Sequence, residues 1–169
     1  MRRKFFFSLI LLIVLNEVLA EEPNQALLAA ASEGRIERLV SLLAEGADVN
    51  FKNPVGRTSL MIAATSGNTR ILKKLLAFGA DPNVADSRGV TALMEAAGRD
   101  SEEAVKLLIA AGADLAAKDA AGNTTLDRIK KIDSTRMVAI LEKAAPPPAP
   151  AAPPANSAGK KEKKDKDAK

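Results

Sequence analysis

The sequence contains no cysteine, histidine, tryptophan or tyrosine, and only five phenylalanines among its 169 residues. Without cysteine the chain forms no disulfide and has no thiolate for catalysis or for zinc. Without histidine it has no imidazole base and no Ser-His-Asp triad. Several classes of enzyme are therefore excluded, although chemistry based on carboxylates and lysines stays open. The absence of cysteine is also compatible with an oxidising compartment.

Aromatic residues make up only 3% of the chain, yet hydrophobic residues make up 47%. Alanine, leucine, isoleucine and valine must therefore form the core. Side chains of this kind suit closely packed helices better than a β-sandwich. The composition favours an all-α fold.

The net charge of +4 is carried by the two ends of the chain. Residues 1–20 contribute +2 and residues 146–169 contribute +3, whereas residues 21–145 have a net charge of −1. Binding to nucleic acid requires a basic patch on the folded domain. We therefore predict no nucleic-acid partner.

The first 20 residues have the three parts of an export signal. Residues 2–4 are basic, residues 5–15 form an apolar run, and a short segment ends at Ala20. Val18 and Ala20 satisfy the small-residue rule of signal peptidase, so we predict a signal peptide cleaved after Ala20. The run is shorter than the roughly 20 residues that span a bilayer, which argues against the alternative of an uncleaved anchor. The expected compartment is the bacterial periplasm.

A period of 33 residues organises the middle of the chain. Gly-Ala-Asp recurs at residues 46–48, 79–81 and 112–114. Other positions with the same period are Gly56, Gly89 and Gly122; Thr58, Thr91 and Thr124; and Leu42, Leu75, Leu108 and Leu141. Such a period is typical of stacked repeats that share one core.

Each copy is predicted to be a pair of helices. In the second copy Thr58 is suited to cap a helix that runs to about Thr65, and Gly67 is suited to end it. A second helix is predicted from about Thr69 to Ala77, with apolar residues at helical spacing. One such pair cannot bury its apolar side alone, so neighbouring copies must stack.

The pattern resembles the ankyrin repeat. The resemblance rests on Gly-Arg-Thr-Ser-Leu-Met-Ile-Ala-Ala at residues 56–64 and on Gly-Ala-Asp-Val-Asn at residues 46–50. It implies an all-α solenoid of about four helix-turn-helix repeats with hairpin-like connecting turns, and we place this domain at residues 21–145. The chain departs from the family pattern where proline and histidine are usual, and Gly98-Arg99-Asp100 has no glycine in the usual place. The polar fourth copy is expected to cap the stack.

The resemblance also implies protein binding through the turn tips and the first helix of each repeat, on the concave side. In this chain the candidate residues are Phe51, Lys52, Val55, Arg57, Thr65, Ser66, Arg88, Val90, Glu95 and Arg99. Phe51 has an alternative role in packing against its own hairpin. We expect Arg57→Ala to be nearly neutral for stability, as for most surface changes.

The resemblance and the predicted export signal together indicate the function. We expect a non-catalytic, monomeric module of the periplasm or cell envelope, without metal or cofactor, that binds a protein and inhibits or protects an exported enzyme. Residues 146–169 are predicted to be a Pro/Ala-rich linker followed by a disordered Lys-rich tail. One alternative function is a structural spacer that this tail tethers weakly to an anionic envelope surface. Another is an enzyme that uses carboxylates and lysines.

Overall fold

A computed structural model describes residues 23–144, which form eight helices in four pairs. In chain order they are α1 (23–33), α2 (Ile36–Ala44), α3 (Ser59–Ser66), α4 (Thr69–Ala77), α5 (Ala92–Gly98), α6 (Glu102–Ala110), α7 (Thr125–Lys131) and α8 (Thr135–Ala144). The predicted all-α stack of about four helix-turn-helix repeats is confirmed. No helix in this part of the chain is both long and apolar enough to cross a membrane. The predicted signal peptide and the linker and tail lie outside the described residues.

The first helix of each of the last three pairs begins at a threonine. Thr58, Thr91 and Thr124 each accept a hydrogen bond on the side-chain oxygen from the backbone N–H three residues further on. Each bond satisfies one of the donors that a helix leaves unpaired at its start. The predicted cap at Thr58 is confirmed, and α4 has the predicted bounds Thr69–Ala77.

The turn inside each helix pair needs one residue in the left-handed region. Gly34 and Gly67 fill this position in the first two pairs, with φ of 73° and 66°. Asp100 and Asp133 fill it in the last two pairs, each with φ of 56°. Aspartate enters this region more readily than most residues with a side chain. The turn is therefore kept where the sequence has no glycine.

The helices form two layers with one core between them. Small residues line the contacts among α3, α5 and α7, where Ala63, Ala64, Ala96 and Ala97 are buried. Larger residues fill the layer of α2, α4, α6 and α8; the repeating leucine, including Leu75, is buried there in every copy. Neighbouring helices pack more closely in the first layer than in the second. The stack is therefore concave on the side of α3, α5 and α7.

The turns between pairs are joined by backbone hydrogen bonds. The N–H of Ser87 donates to the carbonyl of Val55 at 3.1 Å, and the N–H of Ala120 donates to the carbonyl of Arg88 at 2.8 Å. Pro54 occupies the position of Ser87 and Ala120 in the first turn, and proline has no N–H to donate. This row of bonds therefore starts at the turn before α3.

A second row of bonds uses asparagine side chains. Oδ1 of Asn50 accepts from the N–H of Asp81 at 2.9 Å, and Oδ1 of Asn83 accepts from the N–H of Asp114 at 2.7 Å. Asn24 on α1 makes the same bond to the N–H of Asp48 at 2.8 Å. The bonds of Asn50 and Asn83 tie one repeat to the next, whereas that of Asn24 lies within the first repeat. The recurring Gly-Ala-Asp is thus held by an asparagine of the preceding repeat in the second and third copies and by α1 in the first.

Candidate protein-binding face

The turns fold over the exposed sides of the first helices. Lys131 on α7 donates to the side chain of Asn123 in the turn before it, at 2.6 Å. In the second pair the guanidinium of Arg57 donates to Thr65 on α3, also at 2.6 Å. We call the surface made by these turns and by the exposed sides of α3, α5 and α7 the concave face. It combines the two elements that the sequence predicted would bind a partner.

An acidic or amide residue opens each turn on this face. Asn53, Asp86 and Asp119 each accept, on Oδ1, hydrogen bonds from the backbone N–H groups two and four residues further on, at 2.9–3.1 Å. Such bonds fix the turn from inside its own sequence. The turns are therefore held in a defined conformation before any partner binds.

The two aspartates at these turns have lowered pKa values. Burial raises the pKa of Asp86, but hydrogen bonds from Val90, from Arg88 and from the Arg88 guanidinium outweigh it and leave the pKa below its usual range. Hydrogen bonding by the Asn123 backbone, assisted by Arg128 and opposed by partial burial, lowers the pKa of Asp119 to about 2. Both side chains are therefore carboxylates near neutral pH.

Arg57 is half buried, contrary to the prediction that it is a solvated surface residue. Nη2 donates to Thr65, whose hydroxyl in turn donates to the carbonyl of Met61 at 2.8 Å. Nε is buried and has no hydrogen-bond partner among residues 23–144. Arg57 is therefore part of the structure of the turn as well as part of the concave face.

Glu95 lies between two arginines at the centre of the face. Its Oε1 is 3.7 Å from Nη2 of Arg57 and 3.8 Å from Nη2 of Arg88. Arg88 also pairs with Asp86 at 3.0 Å, and the side chain of that aspartate is only 3% exposed. The exposed charge at this point is therefore mostly that of Arg88, whose side chain is 66% exposed, against 19% for Glu95.

The predicted binding residues do not all reach the surface. Lys52, Val55, Ser66, Arg88 and Arg99 are exposed, and Phe51, Arg57, Thr65 and Glu95 are partly buried. Val90 is only 4% exposed, so its side chain offers a partner almost no surface. Its N–H and carbonyl both bond to Asp86, so Val90 closes the turn rather than meeting a partner.

The fourth repeat adds residues that the sequence analysis assigned to a polar cap. Arg128, Lys131 and Ile132 occupy, one period further on, the positions of Glu95, Gly98 and Arg99. Ile132 is 58% exposed, and Arg128 pairs with Asp119 at 2.9 Å. The 33-residue period was the signal that would have placed them on the concave face.

The second layer has a groove between α6 and α8. It has a volume of about 580 Å³ and a floor that includes Ile109, Ala139 and Ile140. At its edge Glu102 pairs with both Lys106 and Arg136. The charges at the edge of the groove are thus paired with one another. On the concave face, in contrast, Arg99 has no ion-pair partner among the described residues. Residues 23–144 contain no cluster of three or more acidic side chains placed to hold a metal ion.

Comparison with known protein families gives one match. A family model of ankyrin repeats, in three copies, matches residues 27–119, which is more than half of the chain. The match begins within α1, covers the helices from α2 to α6, and ends at the residue that opens the turn before α7. A search of curated proteins found no match.

Proposed function

Because the chain belongs to the ankyrin-repeat family, whose repeats are generally protein–protein interaction modules, we propose that it is a non-catalytic binding protein of the bacterial periplasm or cell envelope. It binds its partner on the concave face. In the most specific form of the proposal, the partner is an exported enzyme that the protein inhibits or protects. The proposed compartment rests on the export signal that the sequence predicts in residues 1–20.

One observation carries the proposal for the concave face: equivalent positions differ there, although core positions repeat. Leucine recurs at the same buried position in all four copies. In contrast, the turn-tip position holds Val55, Arg88 and Ala121, and a position on the first helices holds Ile62, Glu95 and Arg128. Stacking constrains the buried positions and leaves exposed ones free to differ, so the concave face can be specialised for a partner without disturbing the stack.

The face also has the mixed chemistry of a recognition surface. Val55 is 54% exposed at a turn tip, and Ile132 is 58% exposed at the end of α7. Arginines lie between them, and arginine is enriched among the residues that contribute most to protein interfaces. Apolar anchors flanked by arginine fit a protein partner better than a small metabolite.

A capture experiment with matched variants tests the proposal. Residues 21–169 are cross-linked in the envelope fraction of their own source, beside a concave-face variant, Val55→Ser with Arg99→Ala. The control variant, Phe78→Ser with Arg70→Ala, changes one exposed apolar residue and one arginine on the second layer. We expect a partner that the parent and the control capture and that the concave-face variant loses.

The opposite results have clear meanings. A partner lost only by the second-layer control would contradict binding on the concave face. A partner lost on deletion of residues 146–169, and kept by both variants, would favour the alternative of a spacer tethered by its tail. Because Arg57 is part of the fold, neither variant changes it.

A further inference from the structure

The concave face holds one carboxylate between two arginines, and a third arginine follows it on the same helix. Arg57 and Arg88 both approach the same oxygen of Glu95, at 3.7 and 3.8 Å. These distances are too long for hydrogen bonds. Arg99 follows one helical turn after Glu95, immediately after α5. Glu95 therefore attracts the guanidinium groups by charge and does not occupy their N–H donors.

Arg88 and Arg99 keep donors for another acceptor. Arg88 places Nε and Nη2 on a single oxygen of Asp86, at 3.3 and 3.0 Å, and its side chain is 66% exposed. Arg99 is exposed, and no ion pair joins it to another residue of the described chain. An approaching molecule thus meets two guanidinium groups held on a rigid turn and a helix end.

The balance of charge at this point is positive. Arg57 and Arg88 lie beside Glu95, whose side chain is 19% exposed, and Arg88 pairs with Asp86, whose side chain is 3% exposed. Arg99 adds a third positive charge that no carboxylate of the described chain pairs with. Asp86 is enclosed by its own turn and does not reach a partner. The guanidinium fork matches the two oxygens of a carboxylate in both shape and charge.

We propose that the concave face recognises an acidic segment of its partner, with an aspartate or glutamate side chain of the partner bound by Arg88 and Arg99. Glu95 is the internal carboxylate that partly neutralises this site and repels the incoming one. Arg57 is held by Thr65 and contributes charge at the base of the site. This inference rests on the proposed function, because it specifies the chemistry of the partner that the concave face binds.

A residue-resolved titration tests the inference without the natural partner. The probe is a ten-residue peptide of alternating aspartate and alanine, and its control replaces each aspartate with asparagine. The readout is the Nε–H resonance of each arginine in residues 21–169. The Lys-rich tail contains no arginine, so its contacts with the peptide do not enter this readout.

We expect the acidic peptide to shift the resonances of Arg88 and Arg99 and to leave those of Arg38 and Arg70 on the second layer unchanged. The asparagine peptide should shift none of them. Glu95→Gln should tighten binding by about fivefold, the effect of removing one nearby like charge in water. Arg88→Gln should weaken binding, whereas Arg70→Gln, an equal change of charge on the second layer, should not.

Two results would overturn the inference. Equal shifts at Arg70 and Arg88 would mean that the peptide senses only general charge, and an unchanged affinity in Glu95→Gln would place the peptide elsewhere. Neither result touches the proposed function, which depends on the capture experiment. A partner lost by the concave-face variant, together with a peptide that leaves Arg88 and Arg99 unchanged, would keep protein binding and reject acid recognition.

Discussion

At the scale of the residue, the same turn is built in one copy with an amide and in the next two with a carboxylate. Asn53, Asp86 and Asp119 accept the same pair of backbone N–H groups. The geometry therefore does not need a charge. The two aspartates add a dependence on pH that Asn53 does not have.

Asp119→Asn should make the unfolding free energy less dependent on pH in the acid range. The folded pKa of Asp119 is about 2, below the ordinary value of 3.8. Its carboxylate therefore stabilises the fold above about pH 4, and this contribution is lost as the pH falls towards 2. Asparagine should keep the turn, as Asn53 does. Urea unfolding across this pH range measures the slope, and a slope equal to that of the parent would contradict the prediction.

Arg57→Ala should destabilise the fold by about 1–2 kcal/mol, because it removes a charge-assisted hydrogen bond to Thr65 at a half-buried position. This replaces the near-neutral effect that the sequence analysis predicted. Arg70→Ala, on the exposed side of α4, is the matched control and should stay within about 0.5 kcal/mol of the parent. Equal stability of the two variants in chemical denaturation would show that the Arg57 contact contributes nothing.

The sequence predicted the caps and the core well because they depend on neighbours a few residues away. Thr58 caps the helix that follows it directly, and the leucines recur at helical spacing. It did not predict the burial of Arg57 and Val90, which occupy the same position of the repeat. That position is at least half buried in three successive turns, including at Asn123. Its burial depends on how each turn packs over the first helix, which the spacing of residues along the sequence does not predict.

At the scale of the element, each turn packs against the next through a glycine. A Cβ atom on Gly56 would lie 2.8 Å from the backbone nitrogen of Ser87, whereas one on Gly122 would meet nothing within 4 Å. Both glycines have φ of 79°. Both glycines therefore adopt the same left-handed conformation. They differ because another turn packs against Gly56 and none packs against Gly122.

Substituting alanine at the two glycines separates conformational strain from packing. Gly122→Ala should cost about 1–2 kcal/mol, the strain of alanine in the left-handed region. Gly56→Ala should cost about 1–3 kcal/mol more, because its Cβ collides with the following turn. Urea midpoints of both variants measure the difference. Equal losses of unfolding free energy in the two variants would mean that the neighbouring turns can move apart at no cost.

The helix pairs show what a sequence pattern conceals at this scale. The lack of a glycine at the usual place in Gly98-Arg99-Asp100 indicated an altered turn, but Asp100 adopts the left-handed conformation that the turn needs. Oδ1 of Asp100 also accepts a hydrogen bond from the hydroxyl of Ser134, at 2.8 Å. An aspartate can thus join two repeats where a glycine cannot, which the identity of the residue alone does not reveal.

At the scale of the whole molecule, each repeat contacts only its neighbours, so stability is shared along the stack. Leu75 lies in α4, which packs against α2 on one side and α6 on the other, whereas Leu141 lies in α8, which packs against α6 and α7 in the last described pair. Both leucines are buried. Substituting alanine for either leucine would therefore create a similar cavity, at Leu75 in an internal repeat and at Leu141 in the last one.

Leu75→Ala should cost about 2–5 kcal/mol and should lower the protection of amides against hydrogen exchange throughout the stack. Leu141→Ala should lower protection mainly in α7 and α8 and leave α3 and α4 close to the parent. Hydrogen exchange measured helix by helix distinguishes the two patterns. If both variants lost protection uniformly, the four repeats would unfold as a single unit.

The architecture of the whole molecule was predictable because a period of 33 residues repeats through four copies. The curvature was not, because it depends on the different packing distances of the alanine-lined and leucine-lined layers. The chemistry of the binding face was predictable only in part. Arg88 and Arg99 were identified correctly as exposed, but the sharing of Glu95 by two arginines requires two repeats to be in contact.

The two rows of hydrogen bonds between repeats determine where the chain can grow. If residues 53–85 were duplicated, a second Pro54 would face the carbonyl of Val55 with no hydrogen to donate. If residues 55–87 were duplicated instead, the N–H of the added Ser87 would donate to the carbonyl of the added Val55. The side chain of the original Asn83 would accept from the N–H of the added Asp81. This second duplication keeps every bond of both rows. A longer relative that arose by tandem duplication, or a longer protein designed from this one, should have its breakpoints at the tips of the turns.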